Sequence, residues 1–217
     1  MEQALQELQA SMLECRECAA LVKCRSRVVP GDGAIPAEVM FVGIAPGRFG
    51  GDQTGIPFSG DRSGILLRHM LARVHIDDVF ITNLVRCNPR DERGRNRDPL
   101  ASEIRNCHKH LEAEIAIVRP RVIVCLGAMA WRHIASVDSN LPFDPTRPKI
   151  HRHVYAIIYP MYHPGYVIRG AYPKRRYLRD FLRLRRYLDG SRAVDSGQVS
   201  RDARSQWKSP RNQCARD

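Results

Sequence analysis

The residues able to do chemistry fall in four places along the 217-residue chain. The first is Gly43 to Gly64, GIAPGRFGGDQTGIPFSGDRSG, where Asp52 and Asp61 set two carboxylates, and Phe58 one aromatic ring, among glycines. The carboxylates can act as acid or base and the ring as a stacking face, while the glycines permit close approach of a ligand to the backbone. Neither GxxxxGK[ST] nor GxGxxG order occurs, which argues against a cradle for nucleotide phosphates. The second place is Asn83, closing an Ile-Thr-Asn run; a lone asparagine there is more often a turn or cap residue than a ligand. The third is HPGYVIR, in which Pro164 holds His163 extended, so that its ring can be aimed from a sheet edge. Beside it Tyr166, Val167 and Ile168 offer a wedge for a base stack, or packing against the next helix, and Arg169 a cation.

The fourth place is a set of cysteines. Cys15-Arg-Glu-Cys18 brings two thiolates within reach of one metal centre, although the same spacing fits zinc ribbons and thioredoxin-like motifs. Cys87 and Cys107, from segments distant in sequence, would complete a two-plus-two set and pin the N-terminal arm onto the domain. Cys24 is a rival ligand, Cys125 lies in an apolar run and reads as a small buried hydrophobe, and Cys214 belongs to the tail. Thiolate softness suits zinc and an iron-sulfur cluster alike.

These residues need elements to position them. The apolar run 38–42 reads as a strand and 65–73 as a helix, so the glycine-rich stretch is a strand-to-helix loop of the kind found at the carboxyl edge of a parallel sheet. Further strands are expected over 79–85, 121–126 and 153–160, and helices over 3–13, 100–118, 128–134 and 172–188. The last helix puts Leu178, Phe181, Leu182, Leu184 and Leu188 inside. Its outer face carries Lys174, Arg175, Arg176, Arg179, Arg183, Arg185 and Arg186, a cationic ridge suited to phosphates or a solubilising face. Four strands alternating with helices predict an α/β protein, a three-layer α-β-α sandwich around a central, mostly parallel four-stranded sheet. The polar loop 88–99, with four arginines among acids, is either solvated or a phosphate contact. Residues 1–190 read as one domain; residues 191–217 are basic and aperiodic, and disorder is expected there.

A formal charge of +12 and a pI near 9.8 imply a polyanionic partner. Nucleic acid is preferred to an acidic membrane, because no apolar run approaches the length of a span and the N-terminus has no signal-peptide pattern. A cytoplasmic location follows, and in that reducing compartment seven cysteines argue for metal ligation over disulfides.

The glycine-rich stretch resembles the first motif of the uracil-DNA glycosylase superfamily, in its iron-sulfur-containing families four and five. The TG-x-x-F-[ST]-GD order matches family five without a gap. Family four needs one inserted residue, and its glutamate after the first glycine is Ile44 here. IVRPRVIVCLGAMA and HPGYVIR resemble the third stretch and the HP-x-x-x-[LI]-R loop of family four, and Asn83 stands where that family reads the base. The resemblance implies the same fold and a monofunctional glycosylase, acting as a monomer on uracil-containing DNA, single- or double-stranded, and leaving an abasic site. Family-five relatives also accept other deaminated bases. Gly43, Ala45, Phe58 and Asn83 would form the base pocket, His163 would stabilise the leaving anion, and Asp61, or as second choice Asp52, would orient water. Tyr166 and Arg169 would contact DNA, and Cys15, Cys18, Cys87 and Cys107 would bind a [4Fe-4S] cluster. The competing class, a non-catalytic iron-sulfur or zinc protein that binds nucleic acid, leaves Asn83, His163 and the glycine loop idle.

Overall fold

A computed structural model describes residues 1–135, 142–148, 150–152 and 156–195. Chain order is α1 (Glu2–Leu13), α2 (Ala19–Cys24), β1 (Asp32–Gly33), β2 (Val39–Gly43), α3 (Gly51–Thr54), α4 (Arg62–Arg73), β3 (Val79–Asn83), α5 (Ala101–Val118), β4 (Val122–Leu126), α6 (Ala128–Ile134), β5 (His151–Arg152), β6 (Ile157–Met161), α7 (Pro164–Ile168) and α8 (Lys174–Asp195). The sheet order is β1-β3-β2-β4-β6-β5. Its four central strands are parallel, with Val39 level with Val79 and Val122, and Val122 level with Ile157. β1 and β5 are antiparallel edge strands of two residues each, too short to leave a periodic signal in the sequence.

The central strands are apolar along their whole length because both sheet faces are covered. Met40, Val42, Phe80, Ile123, Cys125 and Ile158 pack with α1, α2, α5 and α6. Their neighbours Val39, Phe41, Ile81, Val122, Val124, Tyr159 and Met161 pack with α4, α7 and α8. This period-two division makes the expected three-layer sandwich. On α8 the inner face is Tyr177, Phe181, Leu184 and Leu188, while Leu182, expected inside, is 42% exposed. It follows Phe181 by one residue, hence by about 100° of helix rotation, which carries it off the inner face. The one-turn helices α3 and α7 lie inside segments read as loops. Residues 153–155 of the fourth expected strand, and the tail from 196 on, lie outside the described residues. Among the described residues no helix is long and apolar enough to cross a membrane.

Parallel strands bring the segments after β2, β3 and β6 to one edge of the sheet. Those segments carry the glycine-rich loop, the arginine loop and HPGYVIR.

Candidate active site

A pocket of about 300 Å³ opens at that edge, lined among others by Ala45, Phe58, Asp61, Asn83, His163, Gly165 and Arg169. Asn83, the last residue of β3, is 1% exposed. Among the described residues neither its Oδ1 nor its Nδ2 has a hydrogen-bond partner. A buried amide left so costs about 1–3 kcal/mol per unsatisfied group, so it is poised to pair with whatever polar group or water enters the pocket. Gly43 leaves the room: a Cβ there would stand 2.5 Å from Asn83 Oδ1 and 2.6 Å from Phe58 Cζ.

Phe58 adopts φ 49°, a left-handed conformation that is uncommon for a residue with a side chain. Arg68 holds it there, its Nε donating to the Phe58 carbonyl and its Nη2 to that of Pro57, both at 3.0 Å. The ring is nearly buried and lies 5.5 Å from that of His163. His163 caps α7, its Nδ1 accepting from the Gly165 N–H at 3.0 Å. Burial, and after it the charge of Arg169, pushes the imidazole pKa down to about 4. The neutral ring therefore keeps its hydrogen on Nε2, as a donor.

The two carboxylates of the glycine-rich loop separate sharply. Asp61 caps α4, its Oδ1 accepting from the Gly64 N–H at 2.8 Å, and it lines the pocket. Its Oδ2 has no protein donor among the described residues, and a Cβ on Gly50 would come within 2.4 Å of it. Asp52 is fully buried, outside the pocket lining, and paired with Arg90. It also accepts from the Ser26 N–H at 2.9 Å. Its lone pairs are committed to joining the segment after α2 to the loop after β3.

That loop is internally tied as well. Arg95 pairs with Asp91 and Arg97 with Glu103, so three of its four arginines are held by carboxylates and act as architecture. Asn88, 1% exposed, donates to the Pro46 carbonyl at 2.6 Å and to Asn96 Oδ1 at 2.9 Å, locking this loop to the glycine-rich one. An Asn-Pro step signals a turn, but no residue near it in sequence reveals the lock. Of the wedge candidates, Val167 is buried, Ile168 packs against the core, and Tyr166 is exposed, stacked on Tyr162 at 5.2 Å.

Cys15, Cys18, Cys87 and Cys107 line one cavity between α1, α2, α5 and the end of β3. Cys24 points elsewhere, toward the Asn88 carbonyl at 3.4 Å, and Cys125 is buried in β4. Three donors aim at the cavity sulfurs: Arg25 Nη1 at Cys87 (3.1 Å), the Arg86 N–H at Cys107 (3.3 Å) and Asn106 Nδ2 at Cys18 (3.5 Å). Such donors stabilise thiolates, whereas burial pushes the free thiols of Cys18, Cys87 and Cys107 up, Cys87 to about 11. The donor set thus fits a positively charged group that takes thiolate ligands. Among the described residues no three His, Cys, Asp or Glu side chains are grouped to hold a single metal ion.

An α/β sandwich with an unsatisfied amide, a ring and a neutral imidazole converging at its carboxyl edge offers a planar ligand a stacking face together with hydrogen-bonding groups. The family model described as the uracil DNA glycosylase superfamily matches residues 30–184, and the chain belongs to that superfamily. It is 34% identical to a type-4 uracil-DNA glycosylase of Archaeoglobus fulgidus, over 84% of this chain and 92% of that one. It is 33% identical to a type-4 uracil-DNA glycosylase of Sulfurisphaera tokodaii, over 84% of each. A type-5 uracil-DNA glycosylase of Pyrobaculum aerophilum is 32% identical, over 71% of this chain and 79% of that protein.

Proposed function

We propose that this chain hydrolyses the N-glycosidic bond of uracil in DNA, releasing the free base and leaving an intact strand with an abasic site. The observation that carries the reading is the buried, unpartnered amide of Asn83 in the pocket with Phe58 and His163. Uracil offers an acceptor at O4 and a donor at N3, which meet Nδ2 and Oδ1 in turn; cytosine presents the reverse pattern and leaves both amide groups unsatisfied. Phe58 stacks on the base. As the bond to the sugar lengthens, negative charge gathers on the base, and the His163 Nε2–H donates to O2, where that charge is felt. The free Oδ2 of Asp61 orients the attacking water and favours the cationic sugar. Asp52 has no lone pair to spare for that task.

The nucleotide must leave the helix to reach this pocket, at a cost of about a few kcal/mol. Exposed Tyr166 wedges into the gap and Arg169 takes a phosphate. One chain supplies every group, so the reading needs no second subunit. Cys15, Cys18, Cys87 and Cys107 would hold a [4Fe-4S] cluster, whose contribution when bound is a covalent crosslink from the N-terminal segment to the end of β3. Those free thiols suit a reducing cytoplasm. Residues 1–190 form the catalytic unit of the proposal.

Labelled single and double strands carrying one uracil, incubated with the protein and then treated with alkali, should break at the uracil alone. No alkali-labile site in either substrate refutes the reading. Purified protein should be brown and carry iron with sulfide, and Cys87→Ser should lose the colour; a colourless protein with stoichiometric zinc would replace the cluster assignment.

A further inference from the structure

Phe49 is 74% exposed, the most exposed large apolar side chain among the described residues. Gly47 and Gly51, two residues before and after it, both line the pocket, so its backbone runs beside the pocket while its own side chain is not part of the lining. The ring is not loose. The Arg48 guanidinium lies over one face, 5.1 Å from the centroid. Arg48 is fixed in turn, its main-chain N–H donating to Asn96 Oδ1 at 3.1 Å and its Nη1 to the Gly94 carbonyl at 2.7 Å. Asn96 itself lines the pocket and is held by Asn88 at 2.9 Å. Two loops therefore cooperate to hold an apolar ring out in water, with the face opposite Arg48 left to solvent.

A ring kept in place before its partner arrives loses little freedom on binding. We propose that Phe49 is a stacking platform for the base next to the flipped uridine in the same strand, with Arg48 backing the ring. The inference rests on the pocket being the uracil site. Flipping removes one stacking neighbour from the adjacent base and bares a flat apolar face, and the exposed ring beside the pocket can cover it. Stacking accepts any base, because every base has a π-face, so the interaction adds affinity without sequence preference. It counts most on single strands, where no complementary strand keeps the adjacent base in a helix.

The test uses the full chain and single-stranded oligonucleotides. For Phe49→Ala, KM on uracil-containing single strands should rise roughly five- to a hundredfold, the span expected when one base-aromatic stack is removed, while the saturated single-turnover rate stays within about twofold. Phe49→Trp should keep the wild-type KM. In strands with 2-aminopurine beside an uncleavable 2′-fluoro-deoxyuridine, binding should change the fluorescence on one side of the uridine, and Phe49→Ala should remove that change. Because the ring is exposed, all the variants should melt with the wild type. An unchanged KM and fluorescence response in Phe49→Ala overturns the proposal, and so does an equal loss in Phe49→Trp. Failure of the wild type to release uracil would instead overturn the pocket reading, whereas normal release with an unaltered Phe49→Ala protein counts against this inference alone.

Discussion

Asn83, buried, and His163, half-buried, differ from ordinary core polar residues in what the fold leaves undone: among the described residues the amide has no partner, and the imidazole is kept neutral with Nε2 as a donor. Removing that donor with His163→Ala should lower the single-turnover rate by about one to three orders of magnitude while DNA affinity holds, as for loss of one oxyanion-type donor. Asp61→Asn should slow the same step, and Asp52→Asn should chiefly lower the melting temperature, since Asp52 answers Arg90 and the Ser26 N–H. Rates for both variants beside their thermal melts separate the two roles; a larger rate loss at Asp52 would reverse the assignment. The depressed pKa of His163 also sets a pH dependence. His133, packed edge-on against His108, is likewise pushed down to about 4, by burial first. The unfolded chain takes up protons on these groups near 6.5, the folded one only near 4, so stability falls as pH drops through that window and is level above about 7. Melting temperatures measured from pH 4 to 8 should show this slope, and His163→Ala should make it shallower while the part owed to His133 remains.

At the scale of elements, the face of α5 toward β3 carries a buried ion pair. Arg86 and Glu114 are 1% and 0% exposed, and Nη2 donates to Oε2 at 2.6 Å. Arg86 also donates to the Asn83 carbonyl, and Glu114 accepts from the Gly31 N–H at 2.9 Å. Arg86→Met would leave the carboxylate buried without its charge partner, at a cost of about 3–5 kcal/mol, whereas Arg86→Met with Glu114→Leu should regain much of it. Thermal unfolding of the two variants checks the difference. No local pattern announces this pair, because its members are 28 residues apart and each looks like a surface residue of its own segment. The same blindness applies to Asp52 and Asp61, which the sequence ranks only weakly and Arg90, reaching from another loop, tells apart. What the sequence does show is whatever is written locally. The apolar strands, the histidine fixed by its proline, the glycine-rich turn and the cysteine spacing are legible, whereas the edge strands, the paired arginines of the 88–99 loop and the orphaned state of Asn83 depend on distant partners.

For the whole molecule, the distribution of charge matters more than its total. Much of the arginine in the 88–99 loop is neutralised internally, and on α8 Arg183 pairs with Asp180 and Arg185 with Asp189. The N-terminal half of α8 differs: Lys174, Arg175, Arg176 and Arg179 are exposed and make no ion pair among the described residues. Replacing Arg175, Arg176 and Arg179 with glutamine should weaken DNA binding to a similar extent for every sequence and reduce the salt slope by about 0.9 for each phosphate of duplex DNA that is no longer neutralised. Titrations at several salt concentrations measure this. Unpaired cations on a smooth helical face also bear on how such a protein would look for its target. On the proposed function they would hold any phosphate as well as the next one, and a bound molecule would then move along a duplex in small steps while the pocket samples each nucleotide it passes. On DNA carrying two uracils, one encounter at low salt should remove both, and added salt should uncouple the two events by releasing the protein between them.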